Sequence, residues 1–322
     1  MTSFAYVEYP ARSSHLISRF PRAGILPPRW IEGFLPLLPP FSLGEIAVPP
    51  GLAGRPVRGW LLACPGNGAS RLPGKIDGVL NLAGRLGASA VGLEGPGGQL
   101  GRRGEERGLY LSTGDLIRAA GMLNLGLKRL ERGGLDRSSA SVVIEGADTH
   151  LGEALAWILA PQAGQLTLVG RRRARVEALA GRILRMTGIS TRWAGSLPAP
   201  DGHVIFLTDP GRHRVRGFSG LALDLVAPDR EVPLENGGQP VIDRVHIGLG
   251  GCLEGLGAPG MSSPVSPALV EVLLVSAGFL PPIGKTSPQK EAIRRGTALL
   301  EELRLEVIEP LGQAPRRQAR LA

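Results

Sequence analysis

Between residues 140 and 173 the chain runs apolar strand, glycine turn, helix and second apolar strand, and few folds accept that order at that spacing. The first strand covers 140–145 and ends at Glu145. The turn reads Gly146-Ala147-Asp148-Thr149-His150-Leu151-Gly152, a helix begins near Leu151, and the second strand covers 166–169. Such a unit of about 30 residues is the setting in which a glycine turn binds a dinucleotide. The turn offers backbone N–H groups and a helix N-terminus to a pyrophosphate. Gly146 and Gly152 take the outer glycine positions. The middle position, where glycine lets the backbone approach the phosphates, is Thr149. Gly146, Ala147, Thr149, His150, Leu151 and Gly152 are the candidate cofactor contacts of the turn.

The second strand ends in Gly170-Arg171-Arg172-Arg173. NAD enzymes usually carry an acidic residue there for the ribose hydroxyls. Arg171 and Arg172 instead suit a 2′-phosphate, because the guanidinium fork matches phosphate oxygens. The cofactor expectation is therefore NADP, with a solvated helix start as the alternative use of these arginines. Asp148 argues against it, since a carboxylate beside a pyrophosphate is repelled. Thr208 closes a later strand and Gly250 follows the last one, both at positions that border a cofactor in such folds or serve as simple turns. Asp115 is the candidate catalytic residue, as a general acid/base or substrate partner, and equally fits a helix cap or first-turn carboxylate.

Strand and helix signals alternate through most of the chain. Residues 1–40 read as irregular and rich in proline. Strands are expected at 57–64, 88–93 and 109–111, with helices over 76–86 and from about 115 to 132. Later strands are expected at 203–207, 221–226 and 241–247, with helices at 173–187, 265–277 and 287–304. Alternation of this kind implies a parallel sheet covered on both faces. The expected fold is α/β with two domains and a cleft between them. A Rossmann-like domain takes 119–283, and a second α/β domain takes 1–118 plus 284–322. Residues 315–320 read as a frayed basic tail.

The chain of 322 residues carries a net charge of +9. Lysine occurs only at Lys75, Lys128, Lys285 and Lys290, so arginine carries most of the positive charge. The arginines are scattered, clustering only at 171–175 and 212–216, and no aromatic-and-basic module accompanies them. That pattern argues for arginine-rich composition over a nucleic-acid surface. Cys64 and Cys252 are the only cysteines and lack metal-ligand spacing, as do His203, His213 and His246, so no metal site is expected. Cys64 reads as a buried structural thiol. The longest apolar run, 268–280, contains Glu271 and is too short to span a bilayer. A cytoplasmic protein without a membrane partner is expected.

In order and spacing, residues 40–310 resemble the shikimate/quinate-dehydrogenase-like proteins. That group of predicted amino-acid dehydrogenases includes long-chain acyl-carrier-protein reductase. The similarity is carried by Pro39-Pro-Phe-Ser-Leu-Gly-Glu-Ile46, Gly59-Trp-Leu-Leu-Ala-Cys-Pro65, Leu86-Gly-Ala-Ser-Ala-Val-Gly-Leu93 and Ser112-Thr-Gly114, followed by the strand–turn–helix unit. Four motifs depart from it. The turn Gly-Ala-Thr-Gly-x-Ile-Gly has Asp148 and Thr149 here. Thr-Gly-Asn-x-x-Thr becomes Thr113-Gly-Asp-Leu-Ile-Arg118. Gly-Leu-Gly-Ala-Phe-Thr-Ser becomes Gly92-Leu-Glu-Gly-Pro-Gly-Gly98. The reductases' acyl-accepting cysteine, in an Ala-Cys-x-Ala-Glu context, corresponds to Ala268 within Pro267–Glu271.

The resemblance implies an NADP-dependent oxidoreductase that moves hydride to or from a carbonyl or hydroxy compound, without a covalent acyl-cysteine step. The alternative is a catalytically degenerate descendant that keeps the scaffold for binding or assembly, with polyanion binding as one form of it. The substrate and the oligomeric state, a homo-oligomer included, stay open.

Overall fold

The computed structural model describes residues 2–9, 11–49, 57–65, 72–93, 104, 106–194, 202–209, 218, 220–225, 241–242, 244–248, 256–257, 264–282 and 289–308. Two sheets dominate it. In the first, strand β1 (Thr2–Glu8) lies between β3 (Val57–Ala63) and β4 (Ala90–Leu93), parallel to both. β5 (Tyr110–Ser112) continues the parallel set, and β2 (Phe41–Ile46) closes the far edge antiparallel. Residues 2–8 thus supply a central strand, which corrects the reading of 1–40 as irregular. Side chains alternate across a strand. Phe4 and Tyr6 therefore join Leu61 on one face, while Ala5 and Val7 join Leu62 on the other. Each large apolar side chain so buried contributes roughly 1.5–3 kcal/mol. Helices α1 (Ser13–Arg19) and α2 (Pro28–Phe34) follow β1, and α3 (Leu72–Arg85) covers its Ala5–Val7 face through Ile76, Val79 and Leu80.

Helix α4 (Asp115–Arg132) leads into the second sheet. That sheet has the order β11 (Val241–Ile242), β10 (Leu221–Asp224), β9 (Val204–Leu207), β6 (Ser141–Glu145), β7 (Gln165–Val169), β8 (Arg192–Ala194). All of these pairings are parallel. From β6 the chain builds outward through β7 and β8, then returns to the other side of β6 for β9, β10 and β11. This is the strand order of a dinucleotide-binding sheet, with its switch point between β6 and β9. Helices α5 (His150–Leu159) and α6 (Arg173–Thr187) join α4 over the face that carries Val142, Ile144, Leu168 and Phe206. The approach is close, since a Cβ on Gly126 would stand 2.9 Å from Leu223 Cδ1.

Two late helices complete the fold. α7 (Pro267–Ser276) packs on β1 and β4 and buries Leu269, Val272 and Leu273 against Phe4 and Leu61. The boundary 119–283 groups this helix with the second sheet, while it packs on β1, β4 and β5 of the first sheet and on α4. α8 (Gln289–Glu302) lies along α4 and α5. The expected strand over 241–247 is two pieces: β11 in the second sheet, and β12 (His246–Ile247), which pairs antiparallel with β13 (Val307–Ile308). β8 is a strand that the apolar pattern did not mark. Among the described residues no helix is long and apolar enough to cross a membrane.

Candidate functional site

The glycine turn sits at the C-terminal end of β6, at the switch point. Gly146 has φ +80, a left-handed conformation that favours glycine. A Cβ there would lie 2.7 Å from Thr208 Oγ1, and one on Gly152 would strike the Gly146 carbonyl. Both outer glycines are therefore required by the close approach of helix start and strand end. Thr149 is the N-cap of α5. Its Oγ1 accepts the Gly152 N–H at 3.0 Å and lies 3.3 Å from Thr208 Oγ1. The side chain at the middle glycine position is thus folded back into the turn. Thr208 Oγ1 in turn donates to the Glu145 carbonyl at 2.7 Å, tying β9 to β6. Ala147 is buried and its N–H donates to the Val169 carbonyl at 2.8 Å, tying the turn to β7. His150 is exposed at the first position of α5 and Leu151 is half-buried. By helix geometry their N–H groups have no acceptor within the helix, and the helix dipole makes this end positive.

The two arginines expected to meet a 2′-phosphate both hold carboxylates. Arg172 Nε lies 3.1 Å from Asp148 Oδ2, and its backbone N–H donates to the same oxygen at 3.3 Å. Arg171 Nε lies 3.2 Å from Asp209 Oδ2. Asp148 is buried and rests against Gly170, where a Cβ would come within 2.6 Å of its Oδ1. Burial pushes the Asp148 carboxyl up, but the hydrogen bonds from Arg172 outweigh it and hold the group below the usual aspartate range. The carboxylate within the turn is therefore neutralised by the arginine at the end of β7. The rest of the 171–175 cluster is paired as well, Arg173 with Glu177 and Arg175 with Glu153. Gly250 lies outside the described residues.

A second constellation forms where α7 begins. Three of the departed motifs meet there. A Cβ on Gly92 would come within 2.7 Å of the Ala268 carbonyl oxygen, and one on Gly114 within 2.8 Å of Ala268 Cα. One turn further along α7, Glu271 is fully buried and reaches across to α4. Its Oε2 accepts the N–H groups of Leu116 (2.9 Å) and Ile117 (3.2 Å), and its Oε1 accepts the Ser112 hydroxyl at 2.8 Å. Burial pushes this carboxyl above its ordinary value, against those hydrogen bonds. Glu271 thus supplies from another helix the N-terminal acceptor that Gly114, the N-cap of α4, lacks a side chain to provide. A lone carboxylate inside the apolar run 268–280 is the sequence signal that marks it.

The remaining candidates stand apart from the turn. Asp115 occupies the first turn of α4, two-thirds exposed, and pairs with Arg118 at 3.1 Å. Cys64 is fully buried, and burial pushes its thiol up to about 11. Ala268 is likewise fully buried. Among the described residues no group of three or more His, Cys, Asp or Glu could hold a metal ion.

No family model matches the chain, and no curated protein matches it. The chain is similar to solved structures of dehydrogenases and reductases. The ligand-free 5-ketofructose reductase of Gluconobacter sp. strain CHM43 is 13% identical with a TM-score of 0.31, and the match covers 92% of this chain and 98% of that one. The L-tryptophan dehydrogenase of Nostoc punctiforme is 11% identical at TM-score 0.38, over 94% and 80%. The quinate dehydrogenase of Corynebacterium glutamicum, solved with NAD, is 14% identical at TM-score 0.33, over 94% and 97%.

Proposed function

We propose that this chain is a nicotinamide-dinucleotide-dependent oxidoreductase acting on a carbonyl or hydroxy compound. The observation that carries the reading is the coincidence of three features at one place. The switch point of a six-stranded parallel sheet, a turn whose outer glycines admit no Cβ, and the N-terminus of a capped helix all fall at 146–152. Such a cradle fits a pyrophosphate, received by backbone N–H groups at the start of α5 and by the helix dipole. Thr208 and Asp209 border it on the β9 side, and Arg171 and Arg172 on the β7 side. A bound nicotinamide ring supplies hydride transfer, while the protein supplies orientation.

NADP is the proposed form of the cofactor, since the end of β7 presents two guanidinium groups and no carboxylate of its own. The pairing of Arg172 with Asp148 tempers that preference. The second reading, a non-catalytic descendant, draws on Asp148 inside the turn and on Ala268 at the position that resembles the reductases' nucleophile. Calorimetric titration of the purified chain with NADPH and NADH separates the two readings. Saturable binding of either is expected, tighter for NADPH. Absence of binding to both would overturn the oxidoreductase reading, and equal affinities would overturn the NADP assignment alone.

A further inference from the structure

The segment between β1 and β2 is apolar on both sides. One side is explained by the core: Leu16, Ile31 and Leu35 are buried beneath α1 and α2 with Phe4 and Ile46. The same segment also carries Phe20, Ile25, Leu26, Trp30, Phe34 and Leu37, each between 43% and 85% exposed. Ile17 on α1 is 37% exposed in the same segment, and elsewhere among the described residues only Leu184 and Met186 on α6 are large apolar side chains exposed to a comparable degree. Soluble surfaces scatter such side chains singly, and a cluster of them within one short segment marks a surface that meets something. Apart from Phe20, whose ring lies 6.1 Å from that of Phe41, core packing is supplied by Leu16, Ile31 and Leu35.

The charges in the same segment select the partner. Arg12, Arg19, Arg22 and Arg29 are exposed among these side chains, against the single acid Glu32. Arg19 lies over the Phe20 ring, 5.9 Å from its centroid, so guanidinium and aromatic groups share one face. A second copy of the chain fits poorly. A two-fold interface places the same patch on both sides, and would bring arginine against arginine. Tryptophan and phenylalanine beside arginine, on short helices with their apolar side outward, are the composition of a face that lies in a headgroup layer. We propose that residues 17–37 dock the protein onto the surface of an anionic lipid bilayer. Trp30, Phe34 and Ile25 enter the headgroup–acyl boundary, and Arg19, Arg22 and Arg29 meet lipid phosphates. The expectation of no membrane partner rests on the lack of a spanning segment, which a docked surface does not need. The proposal is independent of the dinucleotide site.

The test is cosedimentation of the full-length protein with phosphatidylcholine vesicles, with and without phosphatidylserine, at physiological salt. Sedimentation with the anionic vesicles is expected, weakened about tenfold or more without the anionic lipid, given the contribution of each arginine near a charged surface. Brominated lipids should quench tryptophan emission in the parent and much less in Trp30→Phe. Trp30→Ser with Phe34→Ser, and separately Arg19→Glu with Arg22→Glu, should each reduce sedimentation by about the same tenfold. These positions are exposed, and unchanged thermal melting verifies that the variants fold. Failure of the parent to sediment, or equal binding to both vesicle types, would overturn the proposal. So would a concentration-dependent dimer that the Trp30→Ser/Phe34→Ser variant abolishes while vesicle binding is absent. Capture of an acidic protein without any lipid binding would overturn it too, and would assign the face to that partner instead.

Discussion

Asp148 and Arg172 are 24 residues apart and clasp one another across the crest of the second sheet, with carboxylate and guanidinium 3.1 Å apart. The aspartate occupies the glycine turn proposed to receive the pyrophosphate, and the arginine occupies the position proposed to choose between NAD and NADP. Each modifies what the other can do. Asp148→Asn should free Arg172 and raise NADPH affinity by about tenfold, the scale of one charge-assisted hydrogen bond, with little effect on NADH. Parallel calorimetric titrations of parent and variant check it, and an unchanged NADPH affinity counts against the assignment of Arg172.

The same pair makes stability depend on pH. The folded-state pKa of Asp148 is lowered. Its contribution is therefore present above the unfolded value and lost as pH falls through the lowered one. In urea unfolding, the parent should exceed Asp148→Asn in stability at pH 7. The difference should close as pH drops below the ordinary aspartate value of about 3.9.

Thr149 caps α5 through Gly152 N, so Thr149→Ala should lower stability by about 1 kcal/mol. Thr149→Gly should cost only a few tenths of that scale, because glycine is tolerated at an N-cap. Equilibrium denaturation of the two variants distinguishes loss of a cap from loss of any other role. Equal destabilisation would show that the Thr208 contact, absent from both, matters more.

Glu271 titrates in the opposite sense to Asp148. Its folded pKa is raised, chiefly by burial. Its favourable share is complete below the unfolded value of about 4.3 and is lost as pH rises through the folded one. Glu271→Gln keeps the shape and an acceptor for Leu116 or Ile117, and should flatten that pH dependence. Glu271→Ala strands buried N–H donors and should cost on the order of 3 kcal/mol at low pH, and less as pH rises. Thermal melts from pH 4 to 8 read both effects.

No acyl-enzyme should form. Ala268 has no nucleophilic atom, and the Cys64 thiol, pushed up to about 11 within the core, is overwhelmingly protonated at neutral pH. Incubation with a long-chain acyl thioester and NADPH, followed by intact-mass measurement, should show no adduct on Cys64 or Cys252. Iodoacetamide should label Cys64 only after unfolding.

The parts of the fold legible in the sequence are those whose signal is local. β6, β7 and α6 are short apolar runs and a periodic helix, bounded by glycine, and they fall within a residue or two of expectation. β1 escaped because its partners begin at Val57 and Ala90, and parallel pairing across such distances leaves no mark on Thr2–Glu8 itself. The run 241–247 reads as one strand in sequence, yet its two ends pair with strands in different sheets. At the site, strand ends and glycines located Gly146, Thr149, Gly152 and Thr208. The ion pairs Asp148–Arg172 and Arg171–Asp209 depend on which strands are neighbours, which only the assembled sheet reveals.

The position of β1 has a consequence during synthesis. Strand β1 is the middle of its sheet, but its Phe4–Tyr6 face is covered in part by Leu269, Val272 and Leu273, which are made more than 250 residues later. Until then that apolar face has only partial cover, from Leu16, Ile31, Leu35 and Ile46. The sheet built from 141–242 needs no segment so remote, so the later-made half can consolidate first. Nascent chains stalled before residue 267 should therefore hold a protease-resistant second sheet and a protease-sensitive first one, and should lean on chaperones through the interval.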